Sequence, residues 1–379
     1  MTAPDRKQKC DLIDCIKQND PSHFVQLINN IFTEGKNISA RTTELNRWMQ
    51  SQFGSPLLHQ CAKYNAWKIC QFVCDHLPTI PTIINERDSE GKTPLHVSCI
   101  LSSLECAKIL LKNGADVNAL KRGDWTALMT AVTKVDLDLV NLLLQHGADL
   151  CLCNKGLYQF VSNFYFLFIE LFLNLDGWNT IHLATRTGDI SLLRLLEEHT
   201  KSTLTHIHPI WAAKSKNGRN ILHIAATNKH IEVVKYLLHQ SSIGKYLDYQ
   251  CKDSCGVSPF VYACGVNSVE LCQILYKHSS GNLPVEDRDQ SGRTALHIAA
   301  QTNACDVIYF LVNTLRCDLN AKDIWQQTPL FLAVREGHVQ AVKLLIELGA
   351  TKPIDIKGRS PLQIATIFGH QNKLSLYLA

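Results

Sequence analysis

Apolar residues recur along this chain at helical spacing, in short paired runs separated by glycine-containing turns. The run that follows Thr93 and Pro94 predicts a short first helix, because threonine accepts a backbone N–H at a helix start and proline suits the first turn. A second run over 104–113 predicts a second helix, which Gly114 ends in the left-handed conformation that glycine adopts without strain. Neither helix can bury its apolar face alone, so copies of this pair are expected to stack.

The helical pair is repeated, and the position held by His96 marks each copy. The marker falls at residues 59, 96, 129, 182, 223, 261, 297, 331 and 363, at intervals of 37, 33, 53, 41, 38, 36, 34 and 32 residues. These copies resemble ankyrin repeats, whose period is about 33 residues. The resemblance implies an all-α fold, an ankyrin-repeat solenoid of about nine stacked helix-turn-helix repeats with hairpin turns.

The two ends of the chain depart from the repeat. Residues 10–31 are apolar at helical spacing, which predicts an atypical N-terminal helical cap, and polar residues 32–54 predict a long loop. The chain therefore divides into a cap and loop over 1–54 and a repeat array over 55–379. The last helix carries three leucines whose burial the pattern leaves open, Leu374, Leu376 and Leu378. A missing C-terminal cap is one expectation.

Histidine occupies the marker position in five copies, at His59, His96, His182, His223 and His297. A functional site need not be repeated along a solenoid. We therefore predict that each of these histidines makes the same local hydrogen bonds and that none of them is catalytic.

The interval of 53 residues contains one repeat and an insert of about twenty residues, 156–175, that is apolar on every side. Three explanations compete. A membrane span would need about twenty apolar residues, but Asn163 and Glu170 interrupt this one. An amphipathic partner-binding loop would have a polar face. The third explanation, which we favour, is a retained intron. The codon for Gly156 and the codons for Leu175 and Asp176 allow splice signals at the two ends of the insert, and splicing there would rejoin the turn in frame.

Composition and charge exclude several function classes. The chain is 46% hydrophobic with a formal net charge of +4 and no clustered basic stripe, which argues against direct binding to nucleic acid or to an acidic membrane surface. Its fifteen cysteines are scattered and its first residues lack the apolar core of a signal peptide, so we expect reduced thiols in the cytoplasm and nucleus. Cys151 and Cys153 are too close for a usual zinc pair, and Cys251 with Cys255 lacks a second pair of cysteines or histidines at zinc-finger spacing. No cofactor, metal or catalytic motif is predicted, and the chain is expected not to be an enzyme.

Part of the chain carries a sequence pattern that is more specific than the general ankyrin repeat. With the insert set aside, the resemblance is carried by four segments, 120–129, 145–149, 154–155 and 176–182. They are similar to a branch of the ankyrin-repeat family that acts with alanyl-tRNA synthetase. This resemblance implies that the partner is the catalytic domain of that synthetase. It also implies that lysine side chains accept misactivated serine and so protect the tRNA from mischarging.

The resemblance also implies where the acceptor lysines lie. One acceptor position of the family falls on Lys155. A second falls on Arg122, next to Lys121, and a third falls on Ala212, two residues before Lys214. Lys155 is therefore the expected acceptor, with Lys121 and Lys214 as further candidates.

Two functions remain open at this stage. The first is a monomeric translation-fidelity cofactor that binds alanyl-tRNA synthetase. The alternative is a general ankyrin adaptor for a signalling or transcription protein, bound along the hairpin tips and inner helices. In either case Trp125 and Trp178 are the predicted partner-binding anchors, because interface energy concentrates in tryptophan, tyrosine and arginine.

Overall fold

The computed structural model describes residues 6–31, 38–53, 56–76, 83–155, 177–203, 208–240, 243–279, 285–352 and 354–378. Within these ranges the regular structure is helical, and strand pairing is limited to an isolated bridge between Lys121 and Trp125. The predicted all-α fold of stacked helix-turn-helix repeats is thus confirmed. The predicted insert over 156–175 lies outside the described residues.

The chain forms two compact units. The first unit comprises Met1–Thr187 with Ser191–Thr203, and the second comprises Gly188–Ile190 with Leu204–Ala379. The helices of the first unit are Arg6–Gln18, Pro21–Ile31, Ile38–Phe53, Leu57–Tyr64, Trp67–His76, Pro94–Ile100, Leu104–Lys112, Ala127–Thr133, Leu137–Gln145, Thr180–Thr187 and Ile190–Thr203.

Capping residues and stacking explain the first unit. The side chain of Thr93 accepts a hydrogen bond from the backbone N–H of His96, and the side chain of Thr126 accepts one from Met129, so each first helix begins where the sequence predicts. Helix Ala127–Thr133 packs against Pro94–Ile100 and also against Thr180–Thr187. The repeats before and after the insert are therefore neighbours.

The N-terminal region differs from its prediction. The prediction of a loop over 32–54 is wrong for most of this segment, because residues Ile38–Phe53 form a helix. Among the side chains of that helix whose burial is described, the buried ones are Thr42, Leu45, Asn46 and Met49. Two of these four residues are polar, which weakens the hydrophobic pattern. Asn46 Oδ1 accepts a hydrogen bond from the N–H of Leu57 at 2.9 Å, so a hydrogen bond as well as apolar contact fixes this helix.

The second unit continues the same plan. Its helices are His208–Trp211, Ile221–Thr227, Ile231–Lys235, Pro259–Gly265, Val269–His278, Ala295–Gln301, Cys305–Asn313, Pro329–Glu336, Val339–Glu347, Pro361–Ile367 and Gln371–Leu378, with a π turn at Tyr236–Gln240 and a 3₁₀ turn at Gly244–Tyr246. Helix Ala295–Gln301 packs between Pro259–Gly265 and Pro329–Glu336. In the last helix Leu374 and Leu378 are buried, whereas Leu376 is exposed.

Candidate partner-binding site

A five-residue turn joins consecutive repeats and carries the exposed hairpin tips. In the turn Asp253–Val257, the N–H of Asp253 donates to the carbonyl of Val257 at 3.0 Å, and Asp253 Oδ1 accepts the N–H groups of Cys255 and Val257, both at 2.9 Å. Gly256 has a φ of +80°, and a Cβ there would lie 3.2 Å from the backbone of the next tip. A side chain at position 256 would therefore be both strained and crowded.

Neighbouring tips are also hydrogen-bonded to each other. In each case the N–H of one tip donates to a carbonyl of the preceding tip, at 2.7–3.2 Å: Lys155 to Gly123, Ser254 to Asn217, Gln290 to Cys255, Ile324 to Ser291 and Ile356 to Trp325. These bonds fix successive tips side by side and so present their side chains on one continuous edge within each unit.

The turn that contains the insert closes in the same way. The N–H of Asn154 donates to the carbonyl of Trp178 at 3.0 Å, and the N–H of Gly177 donates to the carbonyl of Asn154 at 2.9 Å. Asn154 Oδ1 accepts the N–H of Trp178 at 3.1 Å. These bonds match those that close an uninterrupted turn, so the residues on either side of the insert form the ends of one turn.

The marker histidines connect each repeat to the following turn. The Nε2–H groups of His59, His96, His223 and His297 donate to the carbonyls of Lys92, Trp125, Val257 and Gln327, at 2.8–3.0 Å. Burial lowers the pKa of His96 and of His223 to about 4, so both rings are neutral at physiological pH. His96, His223 and His297 also make the local contact between Nδ1 and the capping side chain, so the predicted structural role is confirmed for these three. His59 makes the bond to the following turn, but its Nδ1 has no hydrogen-bond partner among the described residues. His182 makes the local part of the pattern, a 2.6 Å contact between Nδ1 and Asn179 Oδ1.

The two predicted tryptophan anchors lie at equivalent turn positions but differ in exposure. Trp178 is 7% exposed and its ring packs 6.1 Å from the ring of His182. Trp125 is half-buried, and Lys121 Nζ lies 5.5 Å from the centre of its ring, within cation–π distance. The indole N–H of each is buried without a hydrogen-bond partner among the described residues. Trp125 thus offers a partner more surface than Trp178 does.

Lys121 is the candidate acceptor with the most unusual environment. Burial, followed by the positive charge of Lys92, lowers the pKa of the Lys121 amine, while Glu90 and Asp88 act in the opposite direction. A lowered lysine pKa increases the fraction of unprotonated amine, the form that acts as a nucleophile. The sequence favoured Lys155 over Lys121, because neither the burial of Lys121 nor its proximity to Lys92 is visible in the local motif.

In contrast to Lys121, the amines of Lys155 and Lys214 have raised pKa values. Lys155 is exposed, and a hydrogen bond and ion pair with Asp124, at 2.7 Å between Nζ and Oδ2, raise the pKa of its amine. In the second unit, a hydrogen bond with Cys251 raises the pKa of the exposed Lys214 amine. Both side chains are accessible, but both are held in the protonated form.

A groove of about 370 Å³ lies in the first unit. It is lined by His59 and Tyr64 from one first helix, by Val97 and Leu101 from the next, and by Lys92 from the turn between them. The sequence did not single out this groove. Repeat numbering could have found it, because equivalent positions of successive first helices line it.

The described residues contain no group of three His, Cys, Asp or Glu side chains placed to hold a metal ion. In the same ranges, no helix has both the length and the apolar character needed to cross a membrane. All fifteen cysteines are free, including Cys264 and Cys272, whose sulfur atoms are 3.6 Å apart.

Comparison with known proteins adds several relatives. The chain is 29% identical over 177 residues to mouse Rabankyrin-5, covering 46% of this chain and 14% of that protein. It is 48% identical over 63 residues to mouse Ankyrin repeat domain-containing protein 13B, covering 17% and 10% respectively. It is 28% identical over 193 residues to the chicken Nuclear factor NF-kappa-B p105 subunit, covering 51% and 17%. The chain therefore spans less than a fifth of the length of each of these relatives.

The family model for ankyrin repeats (three copies) matches residues 12–121, 58–154, 152–247, 241–323 and 312–378. Ankyrin repeats mediate protein–protein binding, and scaffolds of this type are in general not catalytic. The match spans the N-terminal cap as well as the repeats that carry the turns, the marker histidines and the tips. This chain belongs to the ankyrin-repeat family.

Proposed function

We propose that this chain is a protein-binding scaffold that serves alanyl-tRNA synthetase as a translation-fidelity cofactor, accepting misactivated serine on lysine. The observation that carries the proposal is the tip formed by Lys121 and Trp125, where a shielded amine lies beside a partly exposed aromatic ring. This tip belongs to the segments that resemble ankyrin repeat domain-containing protein 16. The resemblance supplies the identity of the partner and the substrate.

The chemistry requires only an amine held close to seryl adenylate on the synthetase. The lysine nitrogen attacks the carbonyl carbon of the adenylate, a C–N bond forms, and the bond between that carbon and the phosphate oxygen breaks. AMP leaves, and the amine proton passes to solvent. Because an ordinary lysine is mostly protonated at neutral pH, close positioning and a lowered pKa both increase the rate. Lys121 meets the second condition.

We rank the acceptors by this reasoning as Lys121, then Lys155. The two residues lie on adjacent tips, because the N–H of Lys155 donates to the carbonyl of Gly123 at 2.7 Å. A partner seated on this pair of tips can therefore reach both amines. Lys155 must first leave its ion pair with Asp124, which favours the protonated amine. Lys214 stays a candidate in the second unit.

Binding is tested with purified alanyl-tRNA synthetase and a calorimetric titration. If the tip of Trp125 is an anchor, Trp125→Ala weakens binding by about 2 kcal/mol or more while the melting temperature stays close to that of the parent protein. Trp178→Ala is the matched comparison, because its buried ring should instead lower stability by roughly 3 to 5 kcal/mol. Absence of measurable binding to the synthetase would refute the proposed partner.

Serine transfer is tested separately by mass spectrometry of the chain after incubation with synthetase, serine and ATP. Lys121→Arg keeps the positive charge but removes the nucleophilic amine. We expect it to reduce seryl modification more than Lys155→Arg does, with binding unchanged. Modification confined to Lys155 would reverse the ranking, and a chain that binds without any modification would leave only the scaffold function.

A second candidate is a general adaptor for a signalling or transcription protein. The similarity to the p105 subunit over 51% of this chain favours it, as does the groove lined by His59, Tyr64 and Lys92. Substitution of Tyr64 by alanine distinguishes the two functions. This substitution should weaken the binding of an adaptor partner in the groove and leave the binding of the synthetase at the tips unchanged.

We also propose that the protein acts as a monomer in the cytoplasm and nucleus. Its fifteen free cysteines, most of them buried, support a reducing compartment. Cell fractionation and sedimentation of the purified protein test these two points; recovery in a secreted fraction, or a stable dimer at low concentration, would contradict them.

A further inference from the structure

An unusual group of apolar side chains lies on two adjacent tips of the second unit. We name it the apolar tip patch and define it as Ile324, Trp325, Ile354 and Ile356. All four residues are exposed, from 45% for Trp325 to 65% for Ile356. The N–H of Ile356 donates to the carbonyl of Trp325 at 3.2 Å, which places the two tips side by side.

The other tips of the same unit are polar at the equivalent positions. They carry Lys216 with Asn217, Ser254 with Cys255, and Gln290 with Ser291. The turn itself does not need apolar residues here, because backbone N–H groups and the buried carboxylate of Asp323 hold it; Asp323 Oδ1 accepts the N–H of Trp325 at 2.9 Å. An exposed tryptophan with three isoleucines is therefore not explained by folding of the turn.

The accessible charge around the patch is positive. Within 322–327 and 354–359, the two carboxylates are buried: Asp355 pairs with Arg359, and Asp323 is 3% exposed. Lys322 and Lys357 are exposed, and neither forms a salt bridge with the described residues. An occupant that places carboxylates beside these two amines gains favourable electrostatic interactions, and one that carries lysine or arginine there is repelled.

We infer that the apolar tip patch binds an acidic peptide segment of a partner protein, with one or two large apolar side chains packed on Trp325 and the isoleucines and with carboxylates beside Lys322 and Lys357. A peptide fits better than a nucleic acid. Three of the four apolar residues are aliphatic, whereas single strands are bound by successive aromatic platforms in a longer basic groove. The inference does not depend on the proposed synthetase function, whose tip residues Lys121 and Trp125 lie in the first unit.

The test begins with a phage-displayed random peptide library selected on the full chain and counterselected on the double variant Trp325→Ser, Ile356→Ser. We expect the enriched peptides to combine aspartate or glutamate with leucine, phenylalanine or tryptophan. Enrichment of basic peptides, or no enrichment over the counterselected variant, would overturn the proposal. Circular dichroism of the double variant is expected to match that of the parent, because the substituted side chains are exposed.

An enriched peptide, labelled with fluorescein, is then titrated by anisotropy. The double variant and the charge variant Lys322→Glu, Lys357→Glu should each bind at least about tenfold more weakly, since a tenfold change corresponds to the loss of one good contact. Tyr309→Ser is the matched control, because Tyr309 is equally exposed but lies on a second helix rather than a tip. Equal weakening by this control would overturn the site.

Parallel measurements test two other occupants of the apolar tip patch, a nucleic acid and a second copy of the chain. Tighter binding of an oligothymidylate than of the peptide would assign the patch to nucleic acid and refute the inference. Sedimentation that shows a dimer of the parent chain, abolished in the double variant, would assign the patch to a second copy and would also refute it.

Discussion

Two turns of this protein share the three hydrogen bonds that join their ends but differ in the sequence between those ends. In the turn Asp253–Val257, three residues lie between the two end residues. In the turn from Asn154 to Trp178, the insert 156–175 lies between the end residues in addition to three such residues. In both turns the first residue exchanges backbone and side-chain hydrogen bonds with the last residue and with the glycine before it. The comparison shows that the two ends specify the turn, and that the residues at the tip are free to vary.

The first way to sharpen this comparison is to remove the side chain that closes each turn. Asp253→Ala should lower the free energy of unfolding by roughly 3 to 5 kcal/mol, because it also leaves Arg219 without its buried carboxylate. Asn154→Ala should cost less, about 1 to 3 kcal/mol, because Asn154 Oδ1 accepts a neutral hydrogen bond. Urea unfolding of both variants measures the difference; equal losses would show that the charge at Asp253 contributes nothing.

The second test uses pH, because His223 connects the preceding repeat to the turn Asp253–Val257 through the Val257 carbonyl. Burial lowers the pKa of His223 to about 4 from an ordinary value of 6.5. The unfolded chain therefore binds more protons between these values, so this contribution to stability is complete above pH 6.5 and is lost as pH falls toward 4. Between pH 7 and 5 the loss is about 2 kcal/mol per histidine.

His223→Gln cannot be protonated and should reduce the difference in unfolding free energy between pH 7 and 5 by about that amount. Chemical denaturation of the variant and the parent at both pH values measures it. If the variant and the parent show the same difference in unfolding free energy between the two pH values, protonation of His223 does not destabilise the chain in this range.

The third test changes the length between the two ends of a turn. Deleting 156–175 should raise the free energy of unfolding by up to about 2 kcal/mol, because a shorter loop costs less entropy to close. Placing a glycine-serine segment of about the same length between Ser254 and Cys255 should lower it by a similar amount. The second change is the matched control, since Ser254 N–H makes the tip bond that Lys155 N–H makes. A loss of cooperative unfolding in either protein would contradict independent closure of the turn.

Whether the insert is present in mature message is a separate question. Amplification of cDNA between the codons for Asn154 and Asp176 is expected to give a product shorter than the genomic one. Products of equal length would refute the intron hypothesis, and the insert would then be a permanent extension of the hairpin tip.

The smallest expected effect concerns Lys155, which follows Asn154 at the interrupted tip. Its exposed ion pair with Asp124 is screened by solvent, so Lys155→Gln should leave the urea midpoint unchanged. The same substitution should abolish any seryl modification at this position. A large shift of the midpoint would show that the ion pair has a structural role.

The sequence alone determined the repeat and much of its internal chemistry. Helix pairs, capping residues and turn glycines follow from local preferences, and the marker histidines are recognisable because the same contact recurs with the repeat period. For this reason the hydrogen-bonding role of His96, His223 and His297 could be predicted before their carbonyl partners were known.

Only the tertiary structure decided the features that depend on residues distant in sequence. Helix Ile38–Phe53 is fixed partly by Asn46, a polar contact that no apolar pattern reveals. The lowered pKa of Lys121 depends on burial and on Lys92, and the exposure of Trp325 is visible only in the folded chain. Burial and charge are set by packed neighbours, and those neighbours are known only once the repeats have stacked.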